Sequence, residues 1–380
     1  MSEVVELTRG LVSIPSHDDE TEAGDYIENW LREETDAEVT RDDAGNVVAR
    51  RGPADAASLA LVGHHDVVPP ADSQTTAAGE YVVEERDGRL HGRGTADMKG
   101  AVAAAMLAFR DAAVGDTASG RTRSDDADRG GSDVDQPSEL VFASFVGEEQ
   151  GGVGARAAIE DGFAPDYAIV GEGSTGYSAE GATDVAVAHK GRRGSTVTAR
   201  GSAAHASEPE AGENAVYRAC DAVDVIRDLE FPAVEVFGEE VRGSVAVTEI
   251  DGGSAWNVIP EACEVTVDER TVPGERAPLE RVEEIEGVEW TVEQDLPPMR
   301  CDDADFAETV LAAASDAQVA DPELVSKPHA TDAGWLAEAG TTCVVCGVAE
   351  PGEAHTDTES ASIEVLERCY DIYRDAAERF

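Results

Sequence analysis

Short apolar segments alternate with amphipathic segments through the first half of this chain, and this alternation constrains its fold most strongly. Strands are predicted at residues 46–50, 59–62, 139–146 and 167–170, with helices at 3–13, 20–33 and 99–112. Strands that alternate with helices are typical of α/β domains with parallel sheets. The sequence therefore predicts an α/β fold, in which helices cover both faces of a mainly parallel sheet.

The pattern changes near residue 182. Alternating strands are predicted at 185–189, 195–200, 243–250 and 262–268, with helices at 213–228 and 276–284. After residue 295 the chain returns to a helix, a strand and a closing helix at 363–378. We therefore predict an inserted α+β domain at 182–295 within a larger domain formed by 1–181 and 296–380. Residues 114–137 are polar and aperiodic, and they are predicted to be an exposed insertion without a chemical role.

The chain is strongly acidic, with 80 acidic against 29 basic residues and a formal net charge of −51. Such a field repels phosphate backbones and anionic lipids, which argues against nucleic-acid and membrane-surface partners. A charge of this size can also indicate a disordered chain, but the patterned apolar segments argue against disorder. We interpret the charge as a surface adapted to high salt, where counterions screen the repulsion, and expect a halophilic source.

The compartment is predicted from the N-terminus and the cysteines. Residues 1–6 lack the basic start and apolar run of a signal peptide, and no segment has the apolar length of a membrane span. The six cysteines are scattered rather than spaced as a disulfide framework, which favours a cytoplasmic location. Cys343 and Cys346 are interpreted as core residues of a strand, rather than as a zinc or redox pair.

The first candidate site residues, His64 and Asp66, follow the apolar strand at 59–62. Ligands collect at the carboxyl ends of strands in open α/β sheets. In an extended segment these two side chains share one face, and His65 lies on the other. The pattern indicates a metal-binding His64 that Asp66 orients, although a strand-end histidine is also an ordinary surface or loop residue.

Four further segments place acidic or histidine side chains at strand ends or in loops. A glycine-rich turn surrounds the carboxylate of Asp97. The ordinary alternative is that Asp97 is only the N-cap of the following helix. Adjacent carboxylates at a strand end repel each other unless a dication is near, although in so acidic a chain such a pair is often a solvated surface. The residues concerned are Asp97, Glu148, Glu149, Glu172 and His355.

The order and spacing of these segments resemble a family of co-catalytic zinc amidohydrolases and exopeptidases. That family includes succinyl-diaminopimelate desuccinylase, acetylornithine deacetylase, aminoacylase and carboxypeptidase G. The resemblance implies two divalent ions, Zn²⁺ or alternatively Co²⁺, with a cis peptide after the bridging aspartate. It implies that His64 and Glu172 hold one ion, Glu149 and His355 hold the other, Asp97 bridges both, Asp66 orients His64, and Glu148 is the general base.

The inserted domain resembles the lid and dimerisation domain of the same family, which implies a homodimer. The matching segments are 190–195, 201–207, 252–260 and 268–270. The resemblance implies that His205 stabilises the oxyanion and that the substrate-side residues are Arg192, Asn257, Arg270 and Thr331. A guanidinium suits bidentate capture of a carboxylate, although Arg270 in a surface salt bridge is the ordinary alternative.

The reaction that this resemblance implies is hydrolysis of the amide bond of a small N-acyl amino acid. N-succinyl-L,L-diaminopimelate is the first candidate substrate, because residues 191–195 resemble the desuccinylase lid. A guanidinium pair at 192 and 193 would favour a dianionic succinyl group, although such a pair facing solvent is the ordinary alternative. N-acetyl-L-ornithine is the alternative, followed by dipeptide or carboxypeptidase substrates. A catalytically silent binding subunit is the remaining interpretation, but every expected position of the site is filled.

Overall fold

The computed structural model describes residues 2–113 and 138–380, so the predicted insertion at 114–137 lies outside the described residues. The chain divides into two compact units. The first comprises Met1–Val187, Cys301–Val325 and Trp335–Phe380, and the second comprises Ala188–Arg300 and Ser326–Gly334. The second unit includes a return segment, 326–334, that lies outside the 182–295 range expected from sequence.

The helices predicted at 3–13, 20–33, 99–112 and 363–378 are confirmed, each boundary within one residue of the observed one. The segment at 276–284, in contrast, is only a 3₁₀ helix at Leu279–Glu284, which begins directly after Pro278. The α-helices are α1 Glu3–Val12, α2 Thr21–Glu34, α3 Lys99–Asp111, α4 Val153–Glu160, α5 Ala215–Arg227, α6 Ala304–Asp316, α7 Asp332–Glu338 and α8 Ile363–Arg379.

The strands are more numerous than the sequence patterns indicate, because several are short or polar. The described strands are β1 Glu38–Arg41, β2 Val47–Arg51, β3 Ser58–His64, β4 Glu84–Arg86, β5 Arg89–His91, β6 Glu139–Phe145, β7 Tyr167–Val170, β8 Val185–His189, β9 Gly191–Arg200, β10 Ala233–Val236, β11 Glu239–Arg242, β12 Ser244–Gly252, β13 Ala262–Thr271, β14 Val288–Leu296, β15 Met299–Arg300, β16 Leu324–Lys327, β17 Thr342–Val345 and β18 Ser360–Ser362.

The main sheet of the first unit has the order β1-β2-β6-β3-β7-β17-β8. Its four central strands, β6, β3, β7 and β17, are parallel to one another. The flanking pairs β1–β2, β2–β6 and β17–β8 are antiparallel. All residues of β3 and β6 are buried, as continuous apolar runs in a covered parallel sheet require. The predicted fold class is confirmed, with antiparallel strands added at both sides.

The core of the first unit lies around the alanine-rich helix α3, which packs against α1, α8, β3 and β6. Lys99, the first residue of α3, is fully buried and donates hydrogen bonds to the carbonyl oxygens of Leu11 at 3.3 Å and Ile14 at 2.7 Å. Burial lowers the pKa of Lys99 to about 7. The ammonium group therefore satisfies carbonyls at the end of α1, where the helix leaves them without partners.

The second unit contains an antiparallel sheet with the order β12-β13-β9-β14. One face packs on α5 and the 3₁₀ helix Leu279–Glu284, through a cluster that includes Val197, Val265 and Ile226. The side chains of β9 and β13 alternate between this buried face and a more exposed face. The sheet therefore has one face that can contact solvent or a ligand, as antiparallel sheets commonly have.

Cys343 and Cys346 are both fully buried, as expected of core residues. Within residues 2–113 and 138–380, no helix combines the length and apolar character that crossing a membrane requires.

Candidate metal centre

Three parallel strands bring candidate ligands to one edge of the main sheet. β3 lies between β6 and β7, and parallel strands share their carboxyl ends. His64 is the last residue of β3, and Glu172 follows the end of β7. After β6, Gly147 adopts a left-handed conformation at φ 60°, and the chain turns into a 3₁₀ helix that begins at Glu148. The topology therefore brings together groups that are up to 108 residues apart in the chain.

Asp97 lies between two histidines. The Nε2 atom of His64 is 3.3 Å from Asp97 Oδ1 and 3.4 Å from Glu172 Oε1. The Nε2 atom of His355 is 3.1 Å from Asp97 Oδ2 and 2.8 Å from Glu149 Oε1. The two oxygens of one carboxylate thus face different imidazoles, and each imidazole also faces a further carboxylate.

Potential ligand atoms form two groups, each with its atoms within 4.8 Å of one another. One group contains His64, Glu148 and Glu172, and the other contains Asp97, Glu149 and His355. The buried Nε2 of His64 lies among these carboxylates but makes no hydrogen bond. A neutral imidazole nitrogen with carboxylate oxygens is a donor set that suits Zn²⁺ and Co²⁺. The residues therefore fit divalent cations.

The carboxylates of this centre favour positive charge on the two histidines. Hydrogen bonds that His355 donates to the carboxylates of Asp97 and Glu149 raise the pKa of His355 to about 10. Burial alone would lower the pKa of His64, but the carboxylates of Asp66, Asp97 and Glu172 raise it well above its usual value. The same histidines lower the pKa of Asp97 despite its burial. The carboxylates therefore favour positive charge beside both imidazoles, which a bound dication would supply.

Asp66 organises two parts of this centre at once. Its Oδ1 lies 3.2 Å from Nδ1 of His64 and accepts a hydrogen bond from the backbone N–H of Glu148 at 3.1 Å. Its Oδ2 accepts the backbone N–H of Glu149, also at 3.1 Å. Asp66 therefore orients the imidazole of one predicted ligand and the turn that carries two further carboxylates.

Asp66→Asn is expected to weaken divalent-metal binding about 10–100-fold, the usual effect of losing a partner that orients a ligand. The amide retains one oxygen, so it cannot accept both backbone N–H groups and also attract the His64 ring. The dissociation constant for Zn²⁺ should be measured by competition with a chelating dye. Asp42→Asn is the matched control, because Asp42 also accepts backbone N–H groups, from Gly45 and Asn46, in a turn of its own. Equal Zn²⁺ affinity in the two variants would contradict this role.

Two buried residues that position Asp97, Glu359 and Arg93, were not predicted from the sequence. Glu359 Oε1 accepts hydrogen bonds from the backbone N–H groups of Ala96 at 3.0 Å and Asp97 at 3.2 Å. Its other oxygen pairs with Arg93 at 2.5 Å, and both side chains are almost fully buried. Arg93 lies between Gly92 and Gly94 in the glycine-rich turn before Asp97. A charged residue in this turn was the sequence feature that could have indicated an ion pair near Asp97. The peptide bond between Asp97 and Met98 is cis, as the resemblance implied.

Two predicted site residues of the second unit, His205 and Asn257, lie close to each other. His205 is exposed, and its Nδ1 lies 2.7 Å from Ser207 Oγ. The backbone of Asn257 lies beside that of His205 in space, since the Asn257 carbonyl accepts the N–H of Ala206 at 2.9 Å and Val258 forms a β-bridge with His205. The two residues thus share one loop region of the second unit.

Thr331 is buried, and its hydroxyl is engaged by neighbours. Its Oγ1 accepts the backbone N–H of Ala333 and lies 3.2 Å from Nε2 of His189. Nδ1 of His189 faces the carbonyl of Lys190, so Nδ1 carries the ring proton and Nε2 accepts from Thr331. Burial lowers the pKa of His189 to about 3, which keeps the ring neutral. The hydroxyl proton of Thr331 is therefore already donated, which leaves it none for a substrate.

The expectation that Arg192 and Arg193 form one guanidinium pair is wrong. They are adjacent in β9, and adjacent strand residues point to opposite faces. Arg193 is buried, pairs with Glu269 at 2.6 Å and stacks on Trp290. Arg192 instead lies opposite Arg270 of β13 on the more exposed face.

Comparison with known proteins identifies the family. Residues 60–120 match Peptidase family M20/M25/M40, and residues 187–287 match the Peptidase dimerisation domain. Acetylornithine deacetylase of Myxococcus xanthus is 31% identical over 368 residues, which cover 89% of this chain and 86% of that protein. The chain belongs to peptidase family M20/M25/M40. It is therefore a metallo-hydrolase of the peptidase and deacylase type, as the sequence predicted.

Other M20 relatives cover most of the chain as well. A probable succinyl-diaminopimelate desuccinylase of Staphylococcus epidermidis is 28% identical over 71% of this chain and 68% of that protein. The crystal structure of the aminopeptidase PepT from Bacillus cereus has a TM-score of 0.77, with 19% identity, over 99% of this chain and 98% of that chain. The solved structure supports the fold. The two relatives compared by sequence are named for different substrates.

Proposed function

We propose that this M20 protein hydrolyses the amide bond of a small N-acyl amino acid with two divalent ions. The arrangement of Asp97 carries the proposal, because its two carboxylate oxygens face His64 and His355 separately. In this assignment His64 and Glu172 would hold one ion, Glu149 and His355 would hold the other, and Asp97 would contribute to both sites. Zn²⁺ is the first candidate and Co²⁺ the second, since nitrogen and carboxylate ligands suit both.

The bound ions would supply the positive charge that acidifies water and polarises an amide carbonyl. Glu148 lies in the same group as His64 and Glu172, next to the proposed ligand Glu149. It is assigned as the base that takes a proton from the attacking water and later returns it to the leaving amine. His205 is assigned to the oxyanion, as a donor that stabilises developing negative charge. This scheme needs no serine or cysteine nucleophile.

A homodimer through the second unit is part of the proposal. Residues 187–287 match a dimerisation domain, and β12 is an edge strand that pairs with β13 within the described residues. All but one of the nine residues of β12 are exposed, including Val247 and Ile250. An exposed edge strand is a template for pairing with another chain. A cytoplasmic location stays a prediction of the sequence.

The substrate is proposed from two candidates, N-acetyl-L-ornithine and N-succinyl-L,L-diaminopimelate. The succinyl compound was the first candidate from the sequence, in part because a guanidinium pair at 192 and 193 would favour it. That reason no longer holds, because Arg193 is buried in its pair with Glu269. The longer match to an acetylornithine deacetylase supports the acetyl compound. Dipeptides and carboxypeptidase substrates are the third candidates.

Hydrolysis rates of Zn²⁺-loaded and Co²⁺-loaded protein in concentrated KCl test this proposal. We expect release of a free amine from at least one of the two acyl amino acids, and loss of that activity after chelation with EDTA. Readdition of metal should restore it, which distinguishes metal loss from unfolding. Hydrolysis of dipeptides alone would move the proposal to the peptidase alternative. Stoichiometric metal binding without hydrolysis of any of these compounds would instead indicate a silent binding subunit.

A further inference from the structure

A single carboxylate lies between the two predicted substrate-side arginines on the more exposed face of the second unit's sheet. Asp268 Oδ2 accepts a hydrogen bond from Nε of Arg192 at 2.7 Å, and Asp268 Oδ1 accepts one from Nε of Arg270 at 2.8 Å. Nη2 of Arg270 donates to Oδ2 at 3.3 Å, and Nη1 of Arg192 donates to Gln294 at 3.0 Å. Arg192 and Arg270 are direct cross-strand partners.

This cluster differs from the buried ion pair on the opposite face. The side chains of Arg192 and Arg270 are 43% and 33% exposed, whereas those of Arg193 and Glu269 are 10% and 3% exposed. Burial acts against ionisation of Asp268, but the two guanidiniums outweigh it and lower its pKa. Asp268 is therefore charged at neutral pH. Within this cluster of three side chains, two guanidiniums and one carboxylate leave one net positive charge.

Asp268 already binds the guanidinium groups of Arg192 and Arg270, which would otherwise be available to a ligand. A guanidinium binds a carboxylate best through two parallel N–H donors, and Asp268 already accepts two from Arg270. An incoming carboxylate would have to displace Asp268 or lie beside its negative charge. Like charges placed together in a binding site disfavour the wrong ligand. One net positive charge matches a substrate with one carboxylate better than a substrate with several.

We propose that Asp268 is a specificity-determining residue, which selects acyl amino acids whose acyl group carries no carboxylate. The inference rests on the proposed function and on the assignment of Arg192 and Arg270 to the substrate side. Neutral acyl groups such as acetyl are accepted, because they do not compete with Asp268. Acyl groups that end in a carboxylate, such as succinyl, are disfavoured because Asp268 holds their binding partners.

Asp268→Asn tests this role, because the amide keeps the shape and removes the charge. We expect the ratio of kcat/KM for N-succinyl-L,L-diaminopimelate to that for N-acetyl-L-ornithine to rise about 10-fold or more, the effect of relieving one like-charge contact. Asp295→Asn is the matched control, since Asp295 pairs with Arg276 at 3.1 Å in the same unit. It removes one charge from the same sheet and should leave the ratio unchanged. An unchanged ratio in Asp268→Asn, or an equal rise in Asp295→Asn, overturns the proposal.

A binding measurement separates this inference from the proposed function. Succinate and acetate are titrated against the wild type and both variants, and the melting temperature is followed at constant ionic strength. Asp268→Asn should gain succinate-dependent stabilisation that the wild type and Asp295→Asn lack, whether or not any acyl amino acid is hydrolysed. Absence of this gain overturns the role of Asp268, even if the wild type is an active deacylase. Failure of the wild type to hydrolyse any candidate overturns the proposed function alone.

Discussion

Glu148→Gln is expected to lower kcat about 10²–10⁴-fold, the usual contribution of a positioned general base. Glutamine has nearly the same size as glutamate but cannot accept a proton from water at neutral pH. Glu148 lies with His64 and Glu172 in one group of potential ligand atoms, next to a second group that contains Asp97. Steady-state rates on the better of the two acyl amino acids should be measured with metal content determined on the same sample.

The neighbouring substitution Glu149→Gln provides the control for Glu148. Glu149 Oε1 lies 2.8 Å from Nε2 of His355, so its loss should reduce both metal content and activity. Glu148→Gln, in contrast, should lose activity while its metal content stays close to that of the wild type. If Glu148→Gln retains turnover within a few-fold of the wild type, the assignment of the base is wrong. If both variants lose metal equally, Glu148 acts as a ligand instead.

Dilution of KCl from about 3 M to about 0.1 M is expected to unfold the protein, because the Debye length grows from below 3 Å to about 10 Å over this range. The formal net charge is −51, and the chain has only three lysines. Lys99 and Lys327 are buried and Lys190 is half-buried, so the lysines add little positive charge to the surface. Self-repulsion of such a surface destabilises the compact state.

The expected loss is comparable to the whole stability of a typical domain, about 5–15 kcal/mol. Far-UV circular dichroism and the melting temperature should be recorded across the KCl series. A parallel series that replaces KCl by an uncharged osmolyte shows whether charge screening is responsible, since only the salt screens charges. A fully folded and active protein in dilute buffer would contradict the interpretation of a surface adapted to high salt.

The sequence predicts most of the first unit, because its elements carry strong local signals. Helices α1, α2, α3 and α8 follow apolar periodicity, which packing against the sheet preserves. The short strands β4, β5 and β18 were not predicted, because three polar or mixed residues have no detectable period. The start of β9 was missed in a similar way, since Arg192, Arg193 and Gly194 do not have the composition typical of a strand.

For the candidate site as well, some features followed from the sequence and others only from the tertiary structure. The sequence by itself determined which residue types stand at the strand ends, because an apolar run followed by His64 or Glu172 is visible in the order of residues. Only the tertiary structure decided that the two oxygens of Asp97 face different histidines and that Glu359 holds the backbone at Asp97. It also separated Arg192 from Arg193 and placed Asp268 between Arg192 and Arg270. Such contacts depend on strand register and parallel pairing, which join residues far apart in the chain and leave no local pattern.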